Sequence, residues 1–290
     1  MGANTVRLLV ASGGEGSLVA LREERVQLGL GEEIERSGRI SDEKLAEAAQ
    51  TAKAHVRRAR KLGCAAVDVL VTSPGRQAEN GQELVSRLAA ATGVPTRVLT
   101  AEEEGELAWR GAMAAAGELP ETVAVCDVGG GSAQVAVGTE AGGPSWVRSI
   151  DIGSLRLARR AFPNDPPDPE DVARASSIVA AEFAEIDPPP PQAAIAVGGT
   201  ARSLRKVVGD ELTDETLLLA VRRLSKRSSR KTAKEYSVDE ARARTMTAGA
   251  LILLEIQRRL AVGLRVGRGG VREGAALALL AEAKAAARSA

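Results

Sequence analysis

The residues of this chain that could do chemistry gather at the ends of apolar runs. Asp127-Val128-Gly129-Gly130-Gly131-Ser132 closes the run that begins at Thr122. An acid there, followed by three glycines and a hydroxyl, exposes consecutive backbone N–H groups at close range, as a phosphate or other anion requires. The Asp127 carboxylate is also a donor for a hard divalent cation beside phosphate oxygens. The same run fits a tight hairpin turn with a capping carboxylate, and taken alone it does not choose between the two. Gly198-Gly199-Thr200 repeats the logic after the apolar residues 193–197 and opens a helix, whose first amides form a second anion site. Thr72-Ser73-Pro74-Gly75-Arg76 follows another apolar run, where the planar fork of Arg76 suits a phosphate. Neither a Walker loop nor a G-x-G-x-x-G loop follows a strand, which weighs against ordinary nucleotide triphosphatases and dinucleotide enzymes.

Glu102-Glu103-Glu104-Gly105-Glu106 opens a helix just after a strand. Acids in a first turn complement the helix macrodipole, and that accounts for them as solvated residues. The alternative is that one points inward and takes a proton from water. Composition narrows which groups remain for such work. His55 is the one histidine, so a multi-imidazole zinc site and a two-histidine relay are excluded, and a Ser-His-Asp triad would have to use that ring. Aromatic residues make up 2% of the 290, too few for rows of rings stacking on bases, so no nucleic-acid partner such as DNA is expected. Lys plus Arg is 39 against 38 for Asp plus Glu, so local patches rather than net charge must decide partners. One such patch runs from Arg222 to Lys234 with seven cations and no acid. It reads either as a solvated helix end or as a guide for a polyanion. Cys64 and Cys126 each sit in an apolar run, as buried reduced thiols do. No apolar run is long enough to span a bilayer, and the expectation is a soluble cytoplasmic protein with no membrane partner.

These residues need elements to position them. Strand-like runs at 6–11, 66–72, 96–99, 122–127, 133–138, 146–152 and 193–197 alternate with helical spacing, which predicts an α/β layer. Residues 41–62 carry Leu45, Ala48, Ala52, Val56 and Ala59 at helical spacing, with Ser41 as N-cap and Gly63 as stop. Asn80 and Glu83 predict a capping box, 238–262 a single long helix, and the segment after Val271 a last one. Gly117-Glu118-Leu119-Pro120 breaks the pattern and divides the chain into residues 1–118 and 119–290. Laying residues 129–138 over residues 2–11 puts glycine on glycine, hydroxyl on hydroxyl and strand on strand. Duplicated α/β domains with their loops facing one another across a cleft follow from that repeat.

The ordered set of Gly2-Ala3-Asn4-Thr5-Val6-Arg7, Thr72-Ser73-Pro74-Gly75-Arg76, Glu103-Glu104-Gly105, Asp127-Val128-Gly129-Gly130-Gly131-Ser132, Gly198-Gly199-Thr200-Ala201-Arg202 and Arg272-Glu273-Gly274 resembles the exopolyphosphatase and guanosine pentaphosphate phosphohydrolase family. The resemblance implies two ribonuclease H-like domains of the actin-like ATPase fold, without extra C-terminal helical domains. It implies metal-assisted hydrolysis of a terminal phosphoanhydride, with inorganic polyphosphate or guanosine pentaphosphate as substrate. Glu104 matches the family's general base and Asp127 would position Mg2+ or another divalent cation. Asn4, Thr5, Arg76, Gly130, Gly131, Ser132, Gly199, Thr200 and Arg202 would meet phosphates, while Glu102, Glu103 and Glu106 are surface acids. A homodimer, and a last helix packing back on the first domain, are further expectations.

Three positions depart from the family pattern. Members usually begin with a strand ending in Asp-x-Gly, and Met1 occupies the middle of that motif. Without that central strand, backbone groups beside residues 6–10 are expected to lie unpaired next to an open core. The expectation is a start codon set too far downstream, the alternative being a degenerate protein. Gln134 stands where Glu is common, and as a metal ligand an amide brings no charge. Weaker metal binding, lower activity or a changed substrate would follow; with the missing strand, Gln134 also favours a non-catalytic polyphosphate or alarmone sensor, which Glu104 and Asp127 oppose. Arg244 stands where the pattern often has an acid.

Overall fold

The computed structural model describes residues 1–14 and 17–289. Strands β1 (Thr5–Gly14) and β2 (Ser17–Gln27) pair antiparallel with a bulge between Val10 and Ala11; the turn joining them lies outside the described residues. A short helix that the sequence pattern does not announce, α1 (Leu30–Ser37), is bracketed by Gly29 and Gly38, both left-handed. In α2 (Asp42–Lys61), Ser41 Oγ accepts the Lys44 N–H, and Leu45, Ala48, Ala52, Val56 and Ala59 form the buried face as their spacing predicts. Then come β3 (Val69–Val71), α3 (Ser73–Gln77), α4 (Gly81–Thr92), β4 (Thr96–Val98) and α5 (Ala101–Met113).

The capping box expected at Asn80 and Glu83 does not form. Asn80 instead accepts from the Ile40 N–H at 3.0 Å and donates to the Ile40 carbonyl at 2.9 Å. Asn80 and Ile40 are buried, so these two groups have no water to turn to, whereas exposed donors at a helix start do. A reciprocal capping box forms at Thr100 and Glu103, opening α5.

The second half contains β5 (Thr122–Val128), β6 (Ala133–Thr139), β7 (Gly143–Ile150), α6 (Ser154–Ala161), α7 (Pro169–Glu182), β8 (Ala193–Val197) and α8 (Gly198–Val208). It continues through β9 (Glu211–Leu212), α9 (Asp214–Leu224), α10 (Ser229–Tyr236), α11 (Glu240–Leu260), β10 (Leu264–Val266) and α12 (Val271–Ser289). The helix expected over 238–262 begins two residues late, after α10 ends at Ser237 with φ 50°. The sheet order is β7-β6-β5-β8-β10-β9, with β5, β6 and β7 antiparallel and β5, β8 and β10 parallel, the ribonuclease H-like arrangement.

The first half repeats the order in two pieces. β2-β1 is antiparallel and β3-β4 parallel, but β1 and β3 share no ladder. Between them Met1 donates its ammonium to the Leu70 carbonyl and accepts the Thr72 N–H at 2.9 Å. Leu8, Val10 and Ala59 consequently form a small cluster apart from the one containing Leu30, Leu45, Leu84 and Leu88. The architecture is α/β, two ribonuclease H-like domains of the actin-like ATPase fold facing across a cleft.

α5 lies against the sheet of the second half, with Trp109 and Ala112 packed on Val123, Val125 and Ile195. α12 runs along α5 and reaches β1. Their close approach depends on Gly111 and Gly274, since a Cβ on either would enter backbone of the other helix or the turn leading to it. No helix among the described residues is long and apolar enough to cross a membrane.

Arg244 on α11 acquires a structural reason. Its guanidinium donates to the carbonyls of Asn164 at 2.6 Å and Phe162 at 3.0 Å, beside Asp165 at 3.4 Å. An acid there would face the same carbonyls without a donor. Arg244→Ala is expected to lower stability by about 2 kcal/mol through loss of charge-assisted hydrogen bonds. A denaturant midpoint unchanged at constant slope would contradict that role.

Candidate active site

Strand alternation assembles the site before any loop is considered. Val123 and Val125 on β5 and Ala136 on β6 pack beneath α5, so Asp127 and its cross-strand partner Gln134 continue the same face. Glu104 and Gly105, at the end of the first turn of α5, arrive over that face, and a Cβ on Gly105 would sit 3.8 Å from Gln134 Cβ. On β1, Val6, Leu8 and Val10 turn into the core, leaving Thr5 and Arg7 on the opposite face.

The glycine loop between β5 and β6 is approached from the first half. A Cβ on Gly130 would come 3.1 Å from Asn4 Nδ2, and one on Gly131 would come 2.7 Å from Gln77 Oε1 and 2.8 Å from Ser73 Oγ. The loop is held by Gly129 N–H to the Ser132 carbonyl at 2.9 Å, while α6 takes the Gly129 and Gly130 carbonyls. The N–H groups of Gly130 and Gly131 have no acceptor among the described residues. Asn4, Thr5, Gly130, Gly131, Ser132, Gly199, Arg202, Glu104 and Asp127 all line one cleft of about 420 Å³.

Asp127 has no hydrogen-bond or ion-pair partner among the described residues. Burial pushes its carboxyl above the usual range, opposed by Arg202, Arg7 and Arg242. The backbone beneath it is Gly198 with φ 84°, where a side chain would strike the Asp127 carboxylate. Around this acid converge three guanidiniums that also lack side-chain partners among the described residues: Arg7 from β1, Arg202 from α8 and Arg242 from α11. Burial, together with Arg272, Arg202, Arg25 and Arg242, pulls Arg7 down to about 10. Arg242, which lies over Gly199, is lowered by burial and by Arg25 and Arg202. Arg272 is already engaged with Glu23 at 3.0 Å and Glu273 at 2.8 Å.

Glu104 is buried beside Arg76, whose Nη2 donates to its carboxylate at 2.7 Å and whose Nη1 donates to the Leu99 carbonyl at 2.7 Å. Burial raises the Glu104 carboxyl above its ordinary value, Arg76 opposes the rise and Asp127 adds to it. Glu103, by contrast, is spent on the capping box and on Arg97, and is held low by the Thr100 N–H.

Three expected site residues are otherwise engaged. Arg76, expected to meet phosphates, gives its guanidinium to Glu104 and the Leu99 carbonyl and is not among the residues lining the cleft. The Thr200 hydroxyl donates to the Val128 carbonyl at 2.6 Å and its methyl packs on Gly249, so only its backbone is left for a ligand. Gln134 donates through Nε2 to Ser132 Oγ at 2.9 Å and Ser149 Oγ at 3.0 Å, tying the glycine loop to β7. Among the described residues no three His, Cys, Asp or Glu side chains gather as a metal-holding group. Arg7 and Arg242 are absent from the sequence-based expectation as phosphate-facing groups. Arg7 was open to discovery, since a charge between Val6 and Leu8 must face away from the core; Arg242 lies on a helix whose pattern says nothing about a partner more than a hundred residues away.

The chain belongs to the Ppx/GppA phosphatase family, whose model matches residues 9–283. Family membership makes it a hydrolase acting on phosphoanhydride bonds. It is 29% identical over 279 residues to Exopolyphosphatase 1 of Mycobacterium tuberculosis, covering 90% of this chain and 81% of that protein. The crystal structure of the Aquifex aeolicus member of the Ppx/GppA family superposes with a TM-score of 0.82 at 25% identity, covering 97% of this chain and 96% of that one. An exopolyphosphatase from Cytophaga hutchinsonii shares the fold with a TM-score of 0.84 at 22% identity, over 94% of each chain.

Like charges held close together oppose folding, and an anion bound to them stabilises. Arg242→Gln is therefore expected to leave the anion-free melting temperature unchanged or raised, and to reduce the upward shift that tripolyphosphate produces. A lower anion-free melting temperature with an undiminished shift would contradict the assignment.

Proposed function

We propose that the chain is an exopolyphosphatase that releases terminal phosphate from inorganic polyphosphate, with Glu104 as general base. The observation that carries this reading is the convergence on one cleft of Arg7, Arg202 and Arg242, and of the amides of Gly130 and Gly131, all without bonded partners among the described residues, next to a buried carboxylate. Guanidiniums without a bonded carboxylate are left with donors that a phosphate chain can accept from.

The terminal phosphate accepts hydrogen bonds from the Gly130 and Gly131 N–H groups and from Ser132, Asn4 and Thr5, while the arginines neutralise its neighbours. Glu104 accepts a proton from a water aligned with the terminal phosphorus. The water oxygen bonds that phosphorus as the bridging P–O bond breaks, and the electron pair leaves on the shortened chain. Arg76 fixes which Glu104 oxygen faces the water, because the other is committed to its guanidinium. The raised carboxyl suits this work, since a stronger base accepts the proton more readily.

The chemistry of the donors fits a divalent cation such as Mg2+. Asp127 offers an unpaired carboxylate, and Mg2+ is commonly held by one or two carboxylates plus substrate phosphates. Asp127 would hold it, with Gln134 beside it contributing no charge; when bound, it neutralises charge on the phosphate oxygens.

Phosphate release from polyphosphate is expected to fall at least 10²-fold in Glu104→Gln, the usual scale for a general base. Activity near wild type would refute the assignment, and release from guanosine pentaphosphate alone would move the substrate. The acid limb of kcat/KM is expected above the range of an ordinary glutamate, because activity needs Glu104 ionised and its carboxyl is raised. In Arg76→Met the limb moves to still higher pH, since the removed charge was lowering it; a downward shift would contradict this. Gln134→Glu is expected to reach half-maximal activity at lower magnesium, and no change there would show that position to be without effect on the metal.

A further inference from the structure

Seven cations between Arg222 and Lys234 are not used by the cleft chemistry. Two of them are engaged: Arg223 donates to the Val207 carbonyl at 2.9 Å, and Arg227 pairs with Glu235 at 2.8 Å. Arg222, Lys226, Arg230, Lys231 and Lys234 are exposed and have no acidic partner among the described residues. On α10, Arg230 and Lys234 are four residues apart and Lys231 and Lys234 three apart, so they share one side of the helix. The inner side is taken by Ser229 and Thr232, which are buried.

The end of α10 meets α8, the helix that carries the cleft-lining Arg202. Its C-cap, Ser237, gives its carbonyl to Lys206 Nζ at 2.7 Å, and Lys206 lies one turn beyond Arg202 on α8. Two residues past Ser237, Asp239 pairs with Arg25 of β2 at 3.2 Å and caps α11, which carries Arg242 in its first turn. Cationic groups therefore lead from the cleft-lining Arg202 and Arg242, by way of Lys206, to Lys234, Lys231 and Arg230; of the acids at the α10–α11 junction, Glu235 pairs with Arg227 and Asp239 with Arg25, and Glu240 is exposed. The helical part of that row, from Arg230 to Lys234, rises about 6 Å.

We propose that the outer side of α10 is a binding track for the distal phosphates of a long polyphosphate chain whose end lies in the cleft. The proposal rests on the polyphosphate reading and extends it to chain length. A row of point charges with rotatable donors suits a flexible polymer of identical anionic units. Nucleic acid fits less well: the one aromatic side chain here, Tyr236, is partly buried and already touches Arg227, so no platform for bases is offered. A compact nucleotide held in the cleft would not reach along the helix.

The test compares the parent with the triple variant Arg230→Ala, Lys231→Ala, Lys234→Ala, using long-chain polyphosphate and tripolyphosphate in parallel. For the long chain, KM is expected to rise at least fivefold with kcat unchanged, and the slope of log affinity against log salt to fall by about two. Tripolyphosphate kinetics stay as in the parent, which also shows that the variant is folded. Lys231→Arg with Lys234→Arg retains long-chain affinity. Direct binding of both polymers, measured in a Glu104→Gln background, separates the two readings. Selective loss of long-chain binding supports the track even without turnover, whereas equal binding by parent and triple variant overturns it with the cleft chemistry untouched. Single-stranded RNA competing for the same residues as well as polyphosphate does would overturn the choice of polymer.

Discussion

The cleft is built around guanidiniums that have no bonded partner among the described residues. Arg7, Arg202 and Arg242 are brought together from a strand of the first half and two helices of the second, and the acid among them, Asp127, has no bonded partner among the described residues. Desolvation makes each of these groups costly, and their proximity adds repulsion among the cations. Such an arrangement persists when surrounding packing over-determines it. Here that packing is the α5–α12 crossing, the β5–β6 ladder and the glycines under Asp127 and Arg242. The strain here is electrostatic rather than torsional, of the kind that binding an anion would relieve.

Placement of Glu104 follows from the same packing. Its helix is anchored by Trp109 on the second sheet and closed at its start by the Thr100–Glu103 capping box. Neighbouring acids therefore have different tasks: Glu103 is committed to the backbone, and Glu104, one residue on, turns inward to Arg76. Arg76 reaches it from α3 in the first half, so the orientation of the Glu104 carboxylate depends on how the two halves sit against each other.

Local strings were the legible part. Asp127 with its glycine loop, the turn at Gly198 and the 41–62 helix could be read because each encodes its own conformation within a few residues. Repeat matching also foretold that loops from the two halves would face each other, as Asn4 and Gly130 do. Long-range partners were not legible. Nothing near Asn80 announces that its carboxamide will serve Ile40, nothing near Thr200 that its hydroxyl will serve Val128, and nothing near Arg244 that it will hold residues 162–164. α1 was missed because two left-handed glycines delimit only eight residues, too few for a periodic signal. Side chains whose role is set by a distant backbone group leave no local pattern, and these are where a reading from sequence failed.

The central claim is that water, deprotonated by Glu104, attacks the terminal phosphorus of a chain seated in this cleft. Single-turnover hydrolysis of polyphosphate in 18O-water tests it most directly. One labelled oxygen in each released phosphate, with none in the shortened chain or in the Glu104 carboxylate, is the expected result. Label in the shortened chain would place attack on the wrong phosphorus, and label in Glu104 would make that carboxylate a nucleophile rather than a base.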